Sequence, residues 1–282
     1  MLELPEIETL RRDLEREAVG KKIKTVEVSS LKVVPNLRTK KAVSDALEGT
    51  KVTLVERHGL AIVLTLDNDH ALVLQLGEDG RLQRCPSKTK SDPETVVKIT
   101  FTQGGDLRIL DSKVLTGKAS ARVDIVPLEE LAPLIGTPES RGLDLLVRPI
   151  AWIKFGSYIL RRTEPLKVLL TDQSVFVGIG PIYSDEILFD AGIRYDRPAS
   201  GLSMQEVRRL YRAVVGILHD AIKYRGTSLP GRPFIDLAGK PGEYAEHLTV
   251  YGKEGQLSQR SRDPILKTTF RGMTVFYCST QV

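Results

Sequence analysis

The stretch LTDQSVFVGIGPIYSDEILF, residues 170–189, decides the fold. It predicts a short helix, a Gly-Ile-Gly turn at residues 178–180, and a second helix that follows at once. Glycines let backbone amides approach a ligand closely, and a helix N-terminus points its N–H groups at an anion. A lone Gly-x-Gly is more often only a structural turn. The motif therefore predicts either an anion-binding turn or a structural one, and the rest of the chain must decide.

The opening segment MLELPEIETLRR places two carboxylates, Glu3 and Glu6, at the start of a helix predicted over residues 5–18. Apolar residues recur along this helix at helical spacing. Acids in the first turn of a helix interact favourably with its dipole, which is one interpretation. A second interpretation is a reaction centre, because an uncharged amine near carboxylates can attack a sugar carbon as a nucleophile.

Short apolar and β-branched runs separated by Asn, Asp and Gly turns follow, and they predict an antiparallel sandwich or barrel. The later part of the chain is helical, and its tail is a small β appendage. We predict strands at Ile23–Val28, Lys51–Val55, Ala61–Leu66, Ala71–Leu76, Val96–Phe101 and Leu107–Leu110, and helices at Ala151–Arg161, Leu166–Leu170, Ile182–Asp190 and Met204–Tyr224. Ser203 is the predicted N-cap of the longest helix.

The composition is that of a globular protein with a mildly basic balance. The 282 residues include 41 Lys and Arg against 36 Asp and Glu, a net charge of +5 that is compatible with a polyanionic partner. Two widely separated cysteines, Cys85 and Cys278, exclude a disulfide framework and favour a reducing compartment. We see no membrane-length apolar run and no secretory signal, so we expect a cytoplasmic, nucleoid-associated protein without membrane contact.

Three segments together resemble the formamidopyrimidine-DNA glycosylase and endonuclease VIII family. They are the Glu-Leu-Pro-Glu opening, the helix–turn–helix of residues 172–186, and LTVYGKEG at residues 248–255. The resemblance implies a multi-domain α+β fold: an N-terminal helix with an antiparallel β-sandwich, a helix–two-turn–helix domain, and a C-terminal β-hairpin finger. The implied divisions are residues 1–125 for the sandwich, 126–148 for a linker, 149–246 for the helical domain and 247–282 for the finger.

The resemblance also implies a partner and a site. Members of the family excise oxidised bases after flipping the nucleotide out of the duplex, so the implied partner is double-stranded DNA, damaged or abasic, bound by a monomer. Glu3 and Glu6 match the family's active-site carboxylates, with Glu3 able to activate water or assist proton transfer. The residues implied in DNA contact are Lys113, Lys167, Gly178, Gly180, Tyr183, Arg260 and Arg262.

Two departures concern the chemistry itself. Relatives carry Pro after the initiator Met, and its secondary amine forms a Schiff base with the deoxyribose; this chain has Leu2. Initiator Met is normally removed only before a small residue, so we expect Met1 to stay and to move the amine out by about 3.8 Å. An amine of Met1, or of Leu2 after cleavage, is therefore a poor candidate nucleophile. Leu60 stands where relatives use a Lys on the sugar-phosphate.

Other departures concern the contacts with DNA. Glu78 replaces a Met that fills the gap left by the flipped base, and Lys113 and Leu115 replace an Arg and a Phe that wedge the duplex. Pro181 replaces a phosphate-binding Asn, and Met273 replaces the phosphate-binding Arg of the finger. These replacements predict weaker or altered recognition of a lesion.

The finger departs from the zinc-bearing pattern. Relatives use four cysteines to close a tetrahedral zinc site, and the matching positions here are Ser258, Ser261, Cys278 and Gln281. One thiolate does not hold structural zinc, so we predict a zincless finger and no metal or other cofactor.

Two functions are favoured by the sequence, ahead of residual standard activity through the amine of Met1 or Leu2 and of an RNA-binding or assembly role on this fold. The first is a DNA-binding protein of this family that lacks the standard glycosylase and lyase chemistry. The second is a monofunctional DNA glycosylase of altered mechanism, in which Glu3 activates water without a covalent intermediate.

Overall fold

A computed structural model of the protein describes residues 2–118, 120–137, 142–147, 150–231 and 233–282. The chain forms two compact units. Unit 1 comprises Met1–Leu2, Glu6–Thr137 and Thr227–Gly242, and unit 2 comprises Glu3–Pro5, Pro138–Gly226 and Glu243–Val282. Residues 227–242, which the sequence placed in the helical domain, thus belong to unit 1, where Phe234 and Leu237 enter the hydrophobic core.

Unit 1 is built mainly of two antiparallel four-stranded sheets. Its elements are helix α1 (Leu4–Ala18, whose first two residues cluster with unit 2), β1 (Ile23–Val28), helix α2 (Lys40–Leu47), β2 (Val52–His58), β3 (Ala61–Leu66), β4 (His70–Gln75), β5 (Gly80–Cys85), β6 (Thr95–Phe101), β7 (Asp106–Asp111), β8 (Arg122–Pro127) and helix α3 (Leu131–Ile135). The strand orders are β1-β6-β7-β5 and β2-β3-β4-β8. The predicted antiparallel sandwich is confirmed.

Alternation of side chains explains the core of unit 1. Along β3, Ile62 and Leu64 enter the main hydrophobic cluster, to which both sheets and α1 contribute. Ala61 and Val63 point to the other face, where α3 covers a smaller cluster. Strands buried on both faces read as continuous apolar runs, which is why β3 and β4 were recognisable in the sequence.

Unit 2 is helical and ends in a β-hairpin. Its elements are α4 (Trp152–Ile159), α5 (Leu166–Thr171), α6 (Pro181–Ala191), α7 (Met204–Lys223), β9 (Ile265–Phe270) and β10 (Met273–Cys278). β9 and β10 pair in antiparallel register from Ile265–Cys278 to Phe270–Met273. The predicted Ser203 cap is confirmed as a reciprocal capping box with Glu206.

Helix α6 occupies the interior of unit 2. Nine of its eleven residues are buried, and it packs against α5, α7 and β10. Three of those buried residues are polar, namely Ser184, Asp185 and Glu186. Buried charges need partners, so polar groups must lie around α6, and the candidate site is sought among them. Among the described residues, no helix combines the length and apolar character needed to cross a membrane.

Candidate functional site

Glu3 is fixed at the N-terminus of α6. Its carboxylate accepts hydrogen bonds from the backbone N–H groups of Gly180 at 2.7 Å, Ile182 at 3.0 Å and Tyr183 at 3.3 Å. Glu3 is buried, with 3% of its surface exposed. The N–H groups of a first helical turn have no partner within the helix and carry a partial positive charge. The anion that the Gly-Ile-Gly turn holds in this structure is therefore the carboxylate of Glu3.

The two glycines of the turn are required by this close approach. Gly178 has a φ of +70°, and a Cβ there would lie 2.7 Å from Cβ of Leu4, whose N–H donates to the Gly178 carbonyl. A Cβ on Gly180 would lie 2.6 Å from the carboxyl carbon of Glu3. Gln173 fixes the turn from the other side, since its amide oxygen accepts from the N–H of Gly178 at 2.7 Å.

Gly178, Gly180 and Tyr183, which were predicted to contact DNA, make contacts within the protein in this structure. The two glycine N–H groups donate to Gln173 and Glu3 rather than pointing at solvent. Tyr183 is fully buried and its ring lies against Tyr244, with centroids 5.9 Å apart. The DNA contacts of these three residues stay predictions.

Lys167 is an interior residue of unit 2. The family resemblance assigns it to a phosphate contact, which stays a prediction, and in this structure its side chain is fully buried. Its ammonium donates to Oδ1 of Asp185 at 2.6 Å, Oγ of Ser184 at 2.7 Å and the carbonyl of Pro181 at 3.0 Å. Because these three acceptors use all three donors of an ammonium group, the predicted phosphate contact is not available in this structure.

The second predicted carboxylate, Glu6, lies in unit 1. It is buried, and its Oε1 accepts from the N–H of Thr227 at 2.8 Å. Glu6 thereby ties α1 to the segment at residues 227–242 within the same unit. Met1, whose amine was a candidate nucleophile, lies outside the described residues.

Leu2 and Leu60, the residues at the positions of the family's Pro and Lys, are both packed apolar side chains. Each is partly buried against the main core of unit 1. Leu60 follows Gly59, whose carbonyl accepts from the buried guanidinium of Arg57 at 2.9 Å. Arg57 also pairs with Glu8 at 3.0 Å. The bonds of Arg57 fix this turn. The side chain at position 60 is aliphatic, so the turn carries no ammonium group there.

Two loops were expected to enter the duplex, one with the acidic Glu78 and one with the apolar Leu115. Glu78 is exposed, and Lys113, also exposed, pairs with Asp79 at 2.7 Å. The hydrogen bond and charge of Asp79 raise the pKa of Lys113. Leu115 has 70% of its surface exposed. The fully buried Asp111 shapes this loop by accepting backbone N–H groups from three of its residues: Lys113, Ser120 and Ala121.

The two predicted finger arginines differ from one another. The guanidinium of Arg260 donates to the carbonyls of Phe189 at 3.0 Å and Asp190 at 3.2 Å, near the end of α6. Carbonyls at a helix C-terminus favour such a cation. Arg262 is exposed, with a φ of +67°. Arg260 therefore caps a helix in this structure, while Arg262 projects from the surface.

The four positions that match zinc ligands come together as a hydrogen-bonded cluster. Oγ of Ser261 lies 3.2 Å from Sγ of Cys278, and Oε1 of Gln281 accepts from the N–H of Cys278 at 2.8 Å. Ser258 is fully buried, and its Oγ accepts from the N–H of Arg260 at 3.2 Å. Burial raises the pKa of the Cys278 thiol. Hydrogen bonds, with the largest effect from Ser261, outweigh burial and leave the pKa of this thiol below its ordinary value.

This cluster does not fit zinc. Structural zinc takes four thiolate or imidazole ligands, and the cluster offers one thiol, two hydroxyls and a carboxamide that bond to one another or to the backbone. Within the described part of the chain, no group of three His, Cys, Asp or Glu side chains is arranged to hold a metal ion.

Sequence reasoning missed two residues of α6, Asp185 and Glu186. Oδ2 of Asp185 accepts from the N–H of Phe276 in β10 at 2.9 Å, and Glu186 accepts from the N–H groups of Thr249, Val250 and Tyr251. Burial raises the pKa of Asp185 to about 6, against the opposing charge of Lys167. The available signal was two adjacent acids in the middle of a helix whose neighbouring positions are mostly apolar.

Comparison with known proteins agrees with this architecture. Residues 1–117 match the model of the formamidopyrimidine-DNA glycosylase N-terminal domain, and residues 142–231 match the model of the formamidopyrimidine-DNA glycosylase H2TH domain. A formamidopyrimidine-DNA glycosylase of Pelotomaculum thermopropionicum is 34% identical over 282 residues, covering 99% of this chain and 98% of the relative. One from Moorella thermoacetica is 35% identical over 271 residues, covering 94% and 93%.

Solved structures give the same result. The MutM (Fpg) protein of Thermus thermophilus superposes with a TM-score of 0.81 at 28% identity, covering 99% of this chain and 97% of that one. The Lactococcus lactis Fpg bound to abasic-site DNA shares the fold, with a TM-score of 0.85 at 24% identity over 98% and 97% of the two chains. The chain therefore belongs to the formamidopyrimidine-DNA glycosylase and endonuclease VIII family of DNA repair glycosylases.

Proposed function

We propose that this protein binds damaged or abasic double-stranded DNA without the Schiff-base glycosylase and lyase chemistry of its family. The observation that carries the proposal is the packing of Leu2 and Leu60 against the core of unit 1. A leucine supplies no secondary amine whatever precedes it, and a packed aliphatic side chain supplies no cation for the sugar-phosphate. Both losses fall on groups that the family resemblance assigns to the same reaction.

DNA as the partner is supported by relatives and by retained surface features. A variant of the Lactococcus lactis FPG, 25% identical to this chain with a TM-score of 0.85, was solved with a Fapy-dG-containing DNA. This chain keeps an exposed Leu115 at the position of the family's wedging Phe and an exposed Arg262 in the finger. A DNA partner also supports a location at the nucleoid, which is part of the proposal.

Borohydride trapping with abasic-site DNA tests the chemistry. The unmodified chain is expected to give no reduced covalent adduct, and the double variant Leu2→Pro/Leu60→Lys is expected to give one, because Met1 can be removed before Pro. Leu2→Ala/Leu60→Lys is the matched control: it carries the same lysine and also allows removal of Met1, but it supplies a primary amine at position 2 in place of the secondary amine of proline. Mass spectrometry of each intact protein records whether Met1 is present. A stable adduct with the unmodified chain would overturn the proposal.

A second candidate is a monofunctional glycosylase in which Glu3 activates water. It is favoured by the three backbone N–H groups that hold the Glu3 carboxylate in place. A carboxylate held in one orientation is suited to act as a general base. This candidate is supported if the unmodified chain releases a damaged base without a covalent intermediate and the Glu3→Gln variant does not release it. Tight binding without release of any base supports the first.

A further inference from the structure

The ammonium of Lys167 and the carboxylate of Glu3 bind the two ends of one peptide group. The carbonyl of Pro181 accepts from Nζ of Lys167 at 3.0 Å, and the N–H of Ile182 donates to Oε1 of Glu3 at 3.0 Å. The carbonyl of Pro181 and the N–H of Ile182 belong to the same planar unit. A cation at the oxygen and an anion at the hydrogen polarise that unit in the same direction, which strengthens both hydrogen bonds.

A second route runs through Ser184. Its Oγ accepts from Lys167 at 2.7 Å and donates to the carbonyl of Gly180 at 2.6 Å. The N–H of Gly180 donates to Oε2 of Glu3 at 2.7 Å. Of the backbone donors that hold Glu3, the N–H of Ile182 therefore belongs to the peptide group that Lys167 binds directly, and the N–H of Gly180 belongs to the residue whose carbonyl Ser184 binds.

Lys167 is an unfavourable residue to bury in an apolar interior. Burial of an ammonium group is costly unless the group is paired and hydrogen-bonded. Lys167 meets that cost with Asp185 as its charge partner, and Asp185 also accepts from the N–H of Phe276 in the finger. A methionine of similar volume would pack without any of these requirements.

We propose that Lys167 is a positioning residue for Glu3, acting through the peptide group between Pro181 and Ile182. The proposal rests on the proposed function only in taking Glu3 as the carboxylate of the site. In place of a phosphate contact, Lys167 sets the first turn of α6, and that turn orients the Glu3 carboxylate.

Hydrogen exchange at the amide of Ile182 gives a direct test. This N–H lies in the first turn of α6, where helices provide no internal acceptor, so its protection reports on the bond to Glu3. In Lys167→Met/Asp185→Asn, which removes both buried charges together, the protection of Ile182 is expected to fall about tenfold. In Asp185→Asn alone, where Nζ can keep its contact with Pro181, the protection is expected to stay near that of the unmodified chain.

Glu186→Gln is the control for general loosening of α6. Its carboxylate accepts from the N–H of Val250 and does not contact the peptide group of Pro181. This variant is expected to lower the protection of Val250 and to leave Ile182 unchanged. If the Lys167→Met/Asp185→Asn variant leaves Ile182 protected, or exposes Val250 and Ile182 equally, the proposal fails.

A thermodynamic cycle with Glu3→Gln supplies a second readout. If Lys167 acts through Glu3, Lys167→Met/Asp185→Asn should destabilise the Glu3→Gln variant less than it destabilises the unmodified chain. The loss in the folded-to-unfolded ratio is expected to differ by about tenfold between the two backgrounds. Strict additivity would overturn the proposal. Neither measurement uses DNA or a reaction, so failure here is separate from failure of the proposed function, which the trapping experiment tests.

Discussion

At the scale of single residues, carboxylates that backbone amides or arginines hold in place organise both units. Glu8 is the example in unit 1. It is 8% exposed and bonds to Arg57 at 3.0 Å, Arg12 at 2.9 Å and Arg11 at 3.1 Å. Burial raises the pKa of the Glu8 carboxyl, but the hydrogen bonds from the three arginines outweigh burial and leave the pKa below its ordinary value.

Glu8→Gln is expected to lower the free energy of unfolding at pH 7 by about 2–3 kcal/mol, because it weakens charge-assisted hydrogen bonds and removes the carboxylate that pairs with the buried Arg57. The pKa of Glu8 is lower in the folded state, so its contribution is present above the unfolded value of 4.5 and lost as the pH falls through the folded value. Urea unfolding across pH 3–7 measures this.

The matched control is Glu15→Gln, since Glu15 pairs with Arg11 at 2.8 Å but is half exposed. Its expected effect is below about 1 kcal/mol. A difference between Glu8→Gln and the unmodified protein that stays constant down to acid pH would contradict the assigned role of Glu8.

At the scale of elements, signals local to one segment were readable from the sequence. The capping box of α7 and the continuous apolar runs of β3 and β4 depend only on nearby residues. Strand β5 was missed because it lies at the edge of its sheet and is polar at three of its six positions. Helix α2 was missed because only two of its eight residues are buried.

The contents of the site were harder to predict because they depend on partners far apart in the sequence. The resemblance predicts Glu3 as an active-site carboxylate, but the bonds of Glu3 to Gly180 and Ile182 join residues more than 170 positions apart, which no local pattern indicates. Lys167 was assigned to the surface because nothing in its own segment indicates that Asp185 will neutralise it. Periodicity predicts which face of a helix is buried, and it does not predict which buried charges pair.

Variants of the two finger arginines distinguish capping of α6 from contact with DNA. Arg260→Ala is expected to lower the free energy of unfolding by about 0.5–1 kcal/mol, because it removes a cation from the C-terminal carbonyls of α6. Arg262→Ala should leave stability unchanged and weaken binding to duplex DNA, with the salt slope reduced by about 1.

Urea unfolding and DNA titration of the same two variants measure both effects. Equal stability losses in the two variants would contradict the capping role of Arg260. An unchanged salt slope in Arg262→Ala would remove that residue from the DNA interface.

At the scale of the whole molecule, the excess of positive charge is small and the finger is closed by hydrogen bonds. A net charge of +5 with 36 acidic residues gives only moderate attraction to a polyanion. The positions that the family resemblance assigns to phosphate contacts carry Pro181 and Met273 here, and Sδ of Met273 accepts from Thr171 at 3.5 Å. We therefore expect DNA binding to depend on a few phosphate contacts rather than on many.

Binding of abasic duplex DNA should fall about 10²-fold between 50 and 200 mM salt, as for roughly four phosphate contacts. A strong zinc chelator should change neither this affinity nor the unfolding temperature, because Ser258, Ser261, Cys278 and Gln281 do not form a zinc site. Fluorescence anisotropy with a labelled duplex, with and without chelator, measures the affinity on the full chain, and a thermal melt under the same two conditions measures the unfolding temperature. Loss of affinity on chelation would mean that the finger needs a metal, and a salt dependence near zero would mean that phosphate contacts do not drive binding.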